Sequence, residues 1–438
     1  MSKPFFVISC PVDTYSGYGA RSRDLVKAIH QTGKYNLRIL PQRWGETPWN
    51  FIEDHPEWHF VKELMLMHGQ LPKQPDIWMQ VTVPNEFTPV GKYNIGVTAG
   101  IETTVCIPQW IEGCNRMNLI LASSEHSAEV FRNSKFQQAD ERTKQVQRTI
   151  ELTTPVKVLF EGVNLDIYKT LESSVQSVKT FEELQYVKED FAYLFVGHWM
   201  QGDLGEDRKN VGLMIKAFYE TFKNKAKKPA LILKASGGAA SYLDKENILT
   251  KIRKIRETVA SNNLPNIYLL HGEFSDQEMN LLYNHPKVKA MVSFTKGEGF
   301  GRPLLEFTLA KKPIIASGWS GQMDFLDPDL TCLIRGELKP VHASAVNDFL
   351  IADSQWFAPS HAEIGFYLRD VFEHYKKYTV NAKRQAHASK TKFSFEKMVE
   401  LVDEILTANV PEFPKEVQLQ LPKLKKIELP KLKKLEDA

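Results

Sequence analysis

Cysteine is scarce in this chain: Cys10, Cys106, Cys114 and Cys332 are the four among 438 residues. They are too few and too scattered for a disulfide framework. None belongs to a C-x-x-C pair, so zinc-ribbon and thioredoxin-like sites have no support. They read as buried or free thiols of a reducing compartment. An excess of one charge is also missing. Lys plus Arg number 56 against 53 Asp plus Glu, a formal net charge of +3, so no stable nucleic-acid binding is expected. No apolar run approaches the roughly 20 residues that span a bilayer. The opening Met-Ser-Lys-Pro-Phe-Phe-Val-Ile-Ser-Cys has only about six apolar residues before Pro11, too few for a signal-peptide core. The expected location is cytoplasmic.

What is present is the composition of a globular enzyme, 42% apolar and 25% charged. At about 150 residues per domain, the length predicts two or three domains. Short apolar runs alternate with helix-period segments, the pattern of α/β units on parallel sheets. Strands are expected at Phe5–Cys10, Leu37–Leu40, Ile77–Val81, Tyr93–Thr98, Leu119–Ala122 and Val156–Phe160. A second series is expected at Tyr193–Gly197, Leu231–Ala235, Ile267–Leu270, Ala290–Phe294 and Ile314–Ser317. Two successive series of similar size imply a cleft between two domains. Near the end, Leu421-Pro-Lys-Leu-Lys-Lys426 recurs as Leu429-Pro-Lys-Leu-Lys-Lys434. Proline in each copy forbids one continuous helix. The segment reads either as a flexible solvated tail or as a basic-apolar element touching an anionic membrane or a partner protein.

The stretch richest in chemistry is Ser293-Phe-Thr-Lys-Gly-Glu-Gly-Phe-Gly-Arg-Pro-Leu-Leu-Glu306. It leaves a strand, passes three glycines and enters a helix at Pro303, where a missing N–H costs nothing. Glycines permit close backbone approach to a ligand, and a helix start offers free N–H groups to phosphate.

Glu298 and Glu306, with seven residues between them and Gly-Phe-Gly inside, resemble the signature of retaining glycosyltransferases of the large family 4 type. Ala310-Lys-Lys-Pro-Ile-Ile-Ala-Ser-Gly318 resembles the family's continuation. Ser123-Ser-Glu-His-Ser127, Glu161-Gly-Val-Asn-Leu-Asp-Ile-Tyr168 and Arg208-Lys209-Asn210 resemble further family segments in the same order. The resemblance implies an α/β architecture of the GT-B type: two Rossmann-like domains facing a cleft, with a flexible C-terminal tail. It divides the chain into an acceptor-side domain over 1–168, a linker over 169–190 and a nucleotide-sugar-binding domain over 191–385. A C-terminal helix over 386–410 then crosses back to the first domain, and the tail covers 411–438.

The same resemblance assigns roles. Breaking the bond between an anomeric carbon and a diphosphate puts negative charge on the leaving phosphate, so positioned cations are needed. Arg208 and Lys209 match the family's phosphate-contacting pair. Glu298 is expected near the donor sugar, Glu306 on the ribose hydroxyls, and the backbone of Phe300 and Gly301 on sugar or phosphate. Gly17 and Gly19 occupy the place of the family's glycine loop against the diphosphate. Many relatives carry a first-domain histidine facing the donor sugar; here the loop reads Thr98-Ala-Gly-Ile-Glu-Thr-Thr104, which puts Glu102 there. His198 stands where many relatives have an arginine.

No cofactor and no metal are expected, since side chains supply the charge. Asp327-Pro-Asp329 reads as a turn, and His55 with His59 lacks the glutamate position of a zinc helix. Trp44, Trp49 and Trp110 are candidates for stacking on an acceptor sugar. The expected partners are a nucleotide sugar and an acceptor hydroxyl on a polysaccharide, lipid-linked sugar, protein or modified base. Two other functions stay open: nucleotide-sugar epimerisation, and a non-catalytic sugar-binding or assembly role.

Overall fold

The structure, a computed structural model, describes residues 3–66, 69–140, 142–171, 182–199, 201–238 and 241–414. The repeated Leu-Pro-Lys-Leu-Lys-Lys segment, with the contacts proposed for it, lies outside these residues.

Two six-stranded parallel sheets organise the chain. The first runs Asn36–Pro41, Phe5–Cys10, Ile77–Val81, Tyr93–Thr98, Leu119–Ala122 and Val156–Val158 from edge to edge. The second runs Ile267–Leu270, Ala230–Ser236, Ala192–His198, Val288–Ser293, Ile314–Ser317 and Cys332–Ile334. Both central strands are apolar without alternation because helices cover both faces; Phe5–Cys10 is buried at every position.

The order reverses at one place in each sheet. Phe5–Cys10 has the next strand in sequence on one side and Ile77–Val81 on the other. Ala192–His198 likewise lies between Ala230–Ser236 and Val288–Ser293. Loops leaving the carboxyl ends at such a reversal diverge and open a crevice. The sequence fills both crevices with its unusual segments: residues 15–18 in the first sheet, residues 208–209 and 298–301 in the second.

The expected crossing at 386–410 is made by two helices rather than one. Tyr375–Lys392 ends at Phe393, and Phe395–Asn409 begins afresh with Ser394 as its cap. Phe395, Met398, Val402, Ile405 and Leu406 of the last helix join the core of the first domain. Each such side chain contributes about 1.5–3 kcal/mol on leaving water, so the chain's return ties the second domain to the first. At the crossing, Val163 N–H donates to Phe393 O (2.9 Å) and Phe395 N–H to Val163 O (2.8 Å).

Two antiparallel hairpins were not expected from the sequence. Phe136–Ala139 pairs with Val146–Ile150, and Gly336–Pro340 with Gln355–Pro359. The first hairpin and the Gly336–Pro340 strand are almost wholly exposed, so no apolar pattern marks them. No described helix is long and apolar enough to cross a membrane. All four cysteines are free and buried.

Candidate functional site

A cavity of about 470 Å³ lies between the carboxyl ends of the two sheets. From the first domain it is lined by Gly17, Tyr18, Arg21, Glu102 and Glu161, and from the second by Arg208, Lys209, Glu298, Phe300, Gly301 and Arg302, among others.

Arg208 and Lys209 sit in the tight connection between Ala192–His198 and the helix Val211–Phe222. Asn210 closes that connection in the left-handed region (φ 57°), and its side-chain amide donates to Phe294 O at 3.1 Å. Asp207 Oδ2 accepts the Val211 N–H at 3.1 Å. These contacts aim the two cations inward. Lys209 Nζ lies 2.6 and 2.7 Å from the two Glu298 carboxylate oxygens. Arg208 Nη1 donates to Gly297 O at 3.1 Å and lies 2.9 Å from Glu102 Oε1 and 3.7 Å from Glu298 Oε2.

Burial shapes the protonation of this group. It pulls the Arg208 pKa down, but Glu102 and Glu298 outweigh it and leave the guanidinium above its ordinary value. Burial and then Arg208 outweigh Glu298 at Lys209, whose ammonium falls below the usual lysine value. Burial would raise Glu298; Lys209 and Arg208 more than offset it, so the carboxyl sits below the ordinary range. The cluster brings two basic and two acidic side chains into contact. His198 has Nδ1 2.9 Å from Ser236 Oγ, and burial, then Lys209, holds its pKa below the ordinary histidine value.

Two of the glycines serve the domain contact, and of these Gly299 also lines the cavity. A Cβ on Gly297 would stand 2.2 Å from Glu102 O, and one on Gly299 would stand 2.8 Å from Ala99 O. Ser123 Oγ, from the other sequence segment singled out, donates to Gly299 O at 3.1 Å. Glu298 N–H donates to Ser320 Oγ at 2.8 Å, which anchors the loop from behind. Gly301 needs its glycine for a different reason, a φ of 96°. Phe300 turns its ring into the core, 5.1 Å from Phe325, and leaves its backbone to the cavity.

Gly17 and Gly19 have different positions. Gly17 lines the cavity, and a Cβ added to it would meet nothing within 4 Å. Gly19 is packed on Thr14, and a Cβ there would stand 2.3 Å from Thr14 O. Ser16 caps this helix, accepting the Gly19 N–H at 2.9 Å. Between the glycines, the Tyr18 ring stacks on Trp44 at 3.9 Å and its hydroxyl accepts the Ala99 N–H at 3.1 Å. Trp110, by contrast, is buried in the core against Phe131 and Phe349. Trp49 lies with the Arg43 guanidinium 5.6 Å over its ring.

Glu306 stands one side chain behind the cavity wall. Its carboxylate accepts from Arg302 Nε at 3.0 Å and from the Tyr283 hydroxyl at 3.1 Å. Burial pushes its pKa up to about 7 against the opposing pull of Arg302. Arg302 also reaches Asp24 and Glu161 of the first domain, at 2.5 and 3.9 Å. Arg21, buried beside them, donates to the carbonyls of Phe160 and Leu159.

Sequence reasoning missed Arg302, Asp24, Glu161 and Arg21 as a charged group spanning both domains. One signal was available. Arg21, Asp24 and Leu25 fall three and four residues apart on one helix face, beside a glycine loop, and charges on a core-facing stripe need partners. Among the described residues no group of three or more His, Cys, Asp or Glu side chains is placed to hold a metal ion. Asp329 N–H donates to Asp327 Oδ1 at 2.8 Å, the local bond of a turn.

Comparison with known proteins gives structural likeness only. No protein-family profile matches the chain, and no curated sequence matches it. Among solved structures, HepE of Anabaena in complex with UDP-glucose superimposes with a TM-score of 0.59 at 12% identity, covering 92% of this chain and 100% of that one. A glycosyltransferase from Rickettsia africae gives 0.57 at 14%, covering 94% and 99%. Sucrose-phosphate synthase from Thermosynechococcus elongatus gives 0.58 at 10%, covering 93% and 98%. The chain has the GT-B fold: two Rossmann-like domains facing a cleft.

Proposed function

We propose that this chain is a retaining glycosyltransferase that moves a hexose from a nucleoside diphosphate sugar to an acceptor hydroxyl. The observation that carries the proposal is the convergence of Arg208, Lys209 and Glu298 with Gly17 at one interdomain cavity. Those residues come from three segments of both domains, and the pattern in sequence assigns all of them to one donor. Support also comes from one fold neighbour named as a glycosyltransferase and from another solved with UDP-glucose bound.

In this reading Arg208 and Lys209 take the diphosphate. As the anomeric carbon–oxygen bond breaks, charge grows on the leaving phosphate, and cations already held in place stabilise it without reorganising. The acceptor oxygen attacks from the same face, and its proton passes to the departing phosphate. Glu298 accepts from donor-sugar hydroxyls while holding Lys209. Glu306 takes the ribose hydroxyls, a pairing that suits a vicinal diol, once Arg302, which now stands between its carboxylate and the cavity, turns aside for the donor. All the charge comes from side chains, and no metal takes part.

The test is a panel of nucleotide sugars, read by thermal shift and by release of nucleoside diphosphate, with Glu306→Ala as the control. One donor is expected to stabilise the wild type and to be slowly hydrolysed by it, and the variant is expected to lose both effects. No stabilisation by any nucleotide sugar at millimolar concentration would sink the proposal.

A further inference from the structure

One carboxylate in the cavity works against a diphosphate. Glu102 belongs to the first domain, and its Oε1 stands 2.9 Å from Arg208 Nη1 of the second. Carboxylate and phosphate compete for the same forked guanidinium face.

Glu102 and Glu298 are held differently. The Glu298 carboxylate has two contacts to Lys209, and its side chain is 10% exposed. Among the described residues Glu102 has a single ion-pair partner, Arg208, and its side chain is 21% exposed at the cavity surface. Its backbone is confined: the Gly297 backbone packs on Glu102 O, and Thr104 exchanges hydrogen bonds of 2.9 and 3.0 Å with Gln355 of the second domain. The side chain alone is free to swing away while the loop stays in place.

We propose that Glu102 is a built-in counter-ion that competes with the donor's diphosphate for Arg208 and thereby sets the affinity for donor and for released nucleoside diphosphate. The inference rests on the donor site proposed above. Glu102 then acts through Arg208 and favours product release, since Arg208 regains a partner as the diphosphate leaves.

The experiment is a double-mutant cycle read by calorimetry, with UDP, GDP and ADP as probes. Wild type, Glu102→Gln, Arg208→Gln and the double variant are compared at low salt. Glu102→Gln is expected to bind the preferred diphosphate about threefold to tenfold more tightly. In the Arg208→Gln background that gain is expected to vanish, because the competition is for Arg208 itself. Equal or weaker binding by Glu102→Gln overturns the inference, and so does a gain that persists without Arg208. Glu102→Asp, whose shorter chain withdraws the carboxylate, provides a second variant and is expected to give a smaller gain. If wild type binds none of the three diphosphates, the donor-site reading falls and this inference with it. That result is distinct from wild-type binding with no gain in the variant.

Discussion

Arg302 and Asp24, far apart in sequence, meet across the boundary between the two domains with Nη1 2.5 Å from Oδ2. The same guanidinium holds Glu306 at 3.0 Å and approaches Glu161 at 3.9 Å. One cation thus answers carboxylates from both domains. It is the polar counterpart of the helix Phe395–Asn409, which joins the domains through apolar packing beside it, with Arg21 Nη1 3.3 Å from Met398 Sδ.

Asp24→Asn keeps the shape and removes one charge from this group. A wholly orphaned buried charge costs about 3–5 kcal/mol. Arg302 retains Glu306 and Glu161, so the expected loss is smaller, about 1–3 kcal/mol. A lowered denaturant midpoint with an unchanged slope is the measurement that checks it; a midpoint equal to wild type would show the pair to be neutral.

Gly297→Ala tests the tight fit between the domains. The added Cβ would stand 2.2 Å from a backbone oxygen of Glu102, which has no side-chain freedom with which to give way. Overpacking of this kind costs about 1–3 kcal/mol. The expected result is a lower melting temperature and a larger radius of gyration in solution scattering, as the loops separate. Gly17→Ala is the matched control, since its Cβ meets nothing within 4 Å. It is expected to fold like wild type and to weaken nucleotide-sugar binding alone.

Most of the fold was legible because parallel strands buried on both faces are continuous apolar runs. Phe5–Cys10, Ile77–Val81, Tyr93–Thr98, Leu119–Ala122, Ile267–Leu270 and Ile314–Ser317 occur with the expected bounds. The hairpin Phe136–Ile150 and the strand Gly336–Pro340 were not legible, because they are held by pairing and not by burial. In the site, Arg208, Lys209, Glu298, Phe300, Gly301, Gly17 and Glu102 come to one cavity, while Gly19 and Glu306 do not line it. What the spacing could not convey is which partner each charge takes. The Glu298–Lys209 and Glu102–Arg208 pairs and the Arg302 group join residues far apart in sequence, and tertiary packing alone decides them.

Lys209 and Glu298 neutralise each other in a buried setting, so Lys209 removed alone leaves Glu298 with only the more distant Arg208, at 3.7 Å. Lys209→Ala is expected to lower both stability and donor turnover. Adding Glu298→Gln is expected to recover much of the stability, because the under-compensated carboxylate is gone. Turnover is not expected to return. Loss of a donor that stabilises developing charge costs about a hundredfold to a thousandfold in kcat. Denaturation curves and diphosphate release on the single and double variants separate the two effects. Recovery of activity along with stability would mean that Lys209 is only a structural partner.

Glu306 makes donor binding and stability depend on pH in opposite directions. Burial, with Asp276 adding to it, raises the carboxyl from 4.5 to about 7, while Arg302 and the Tyr283 hydroxyl oppose the rise. Tyr168, whose hydroxyl donates to Asp276 at 3.0 Å, closes the same pocket. Between those two pH values the folded chain keeps a proton that the unfolded chain has lost. Stability from this group is therefore greatest below pH 4.5 and declines as pH rises through about 7. A ribose diol, in contrast, donates best to the ionised form, so donor affinity rises through the same window. Glu306→Gln removes the titration. Its melting temperature is expected to vary less than that of wild type from about pH 5 to pH 8, and its donor affinity to be weak and flat with pH. Comparison of the two proteins cancels the other titrating groups, including Asp324, whose carboxyl burial raises to about 6. Parallel pH profiles for the two proteins would show that Glu306 is ionised throughout, with Arg302 dominating its environment.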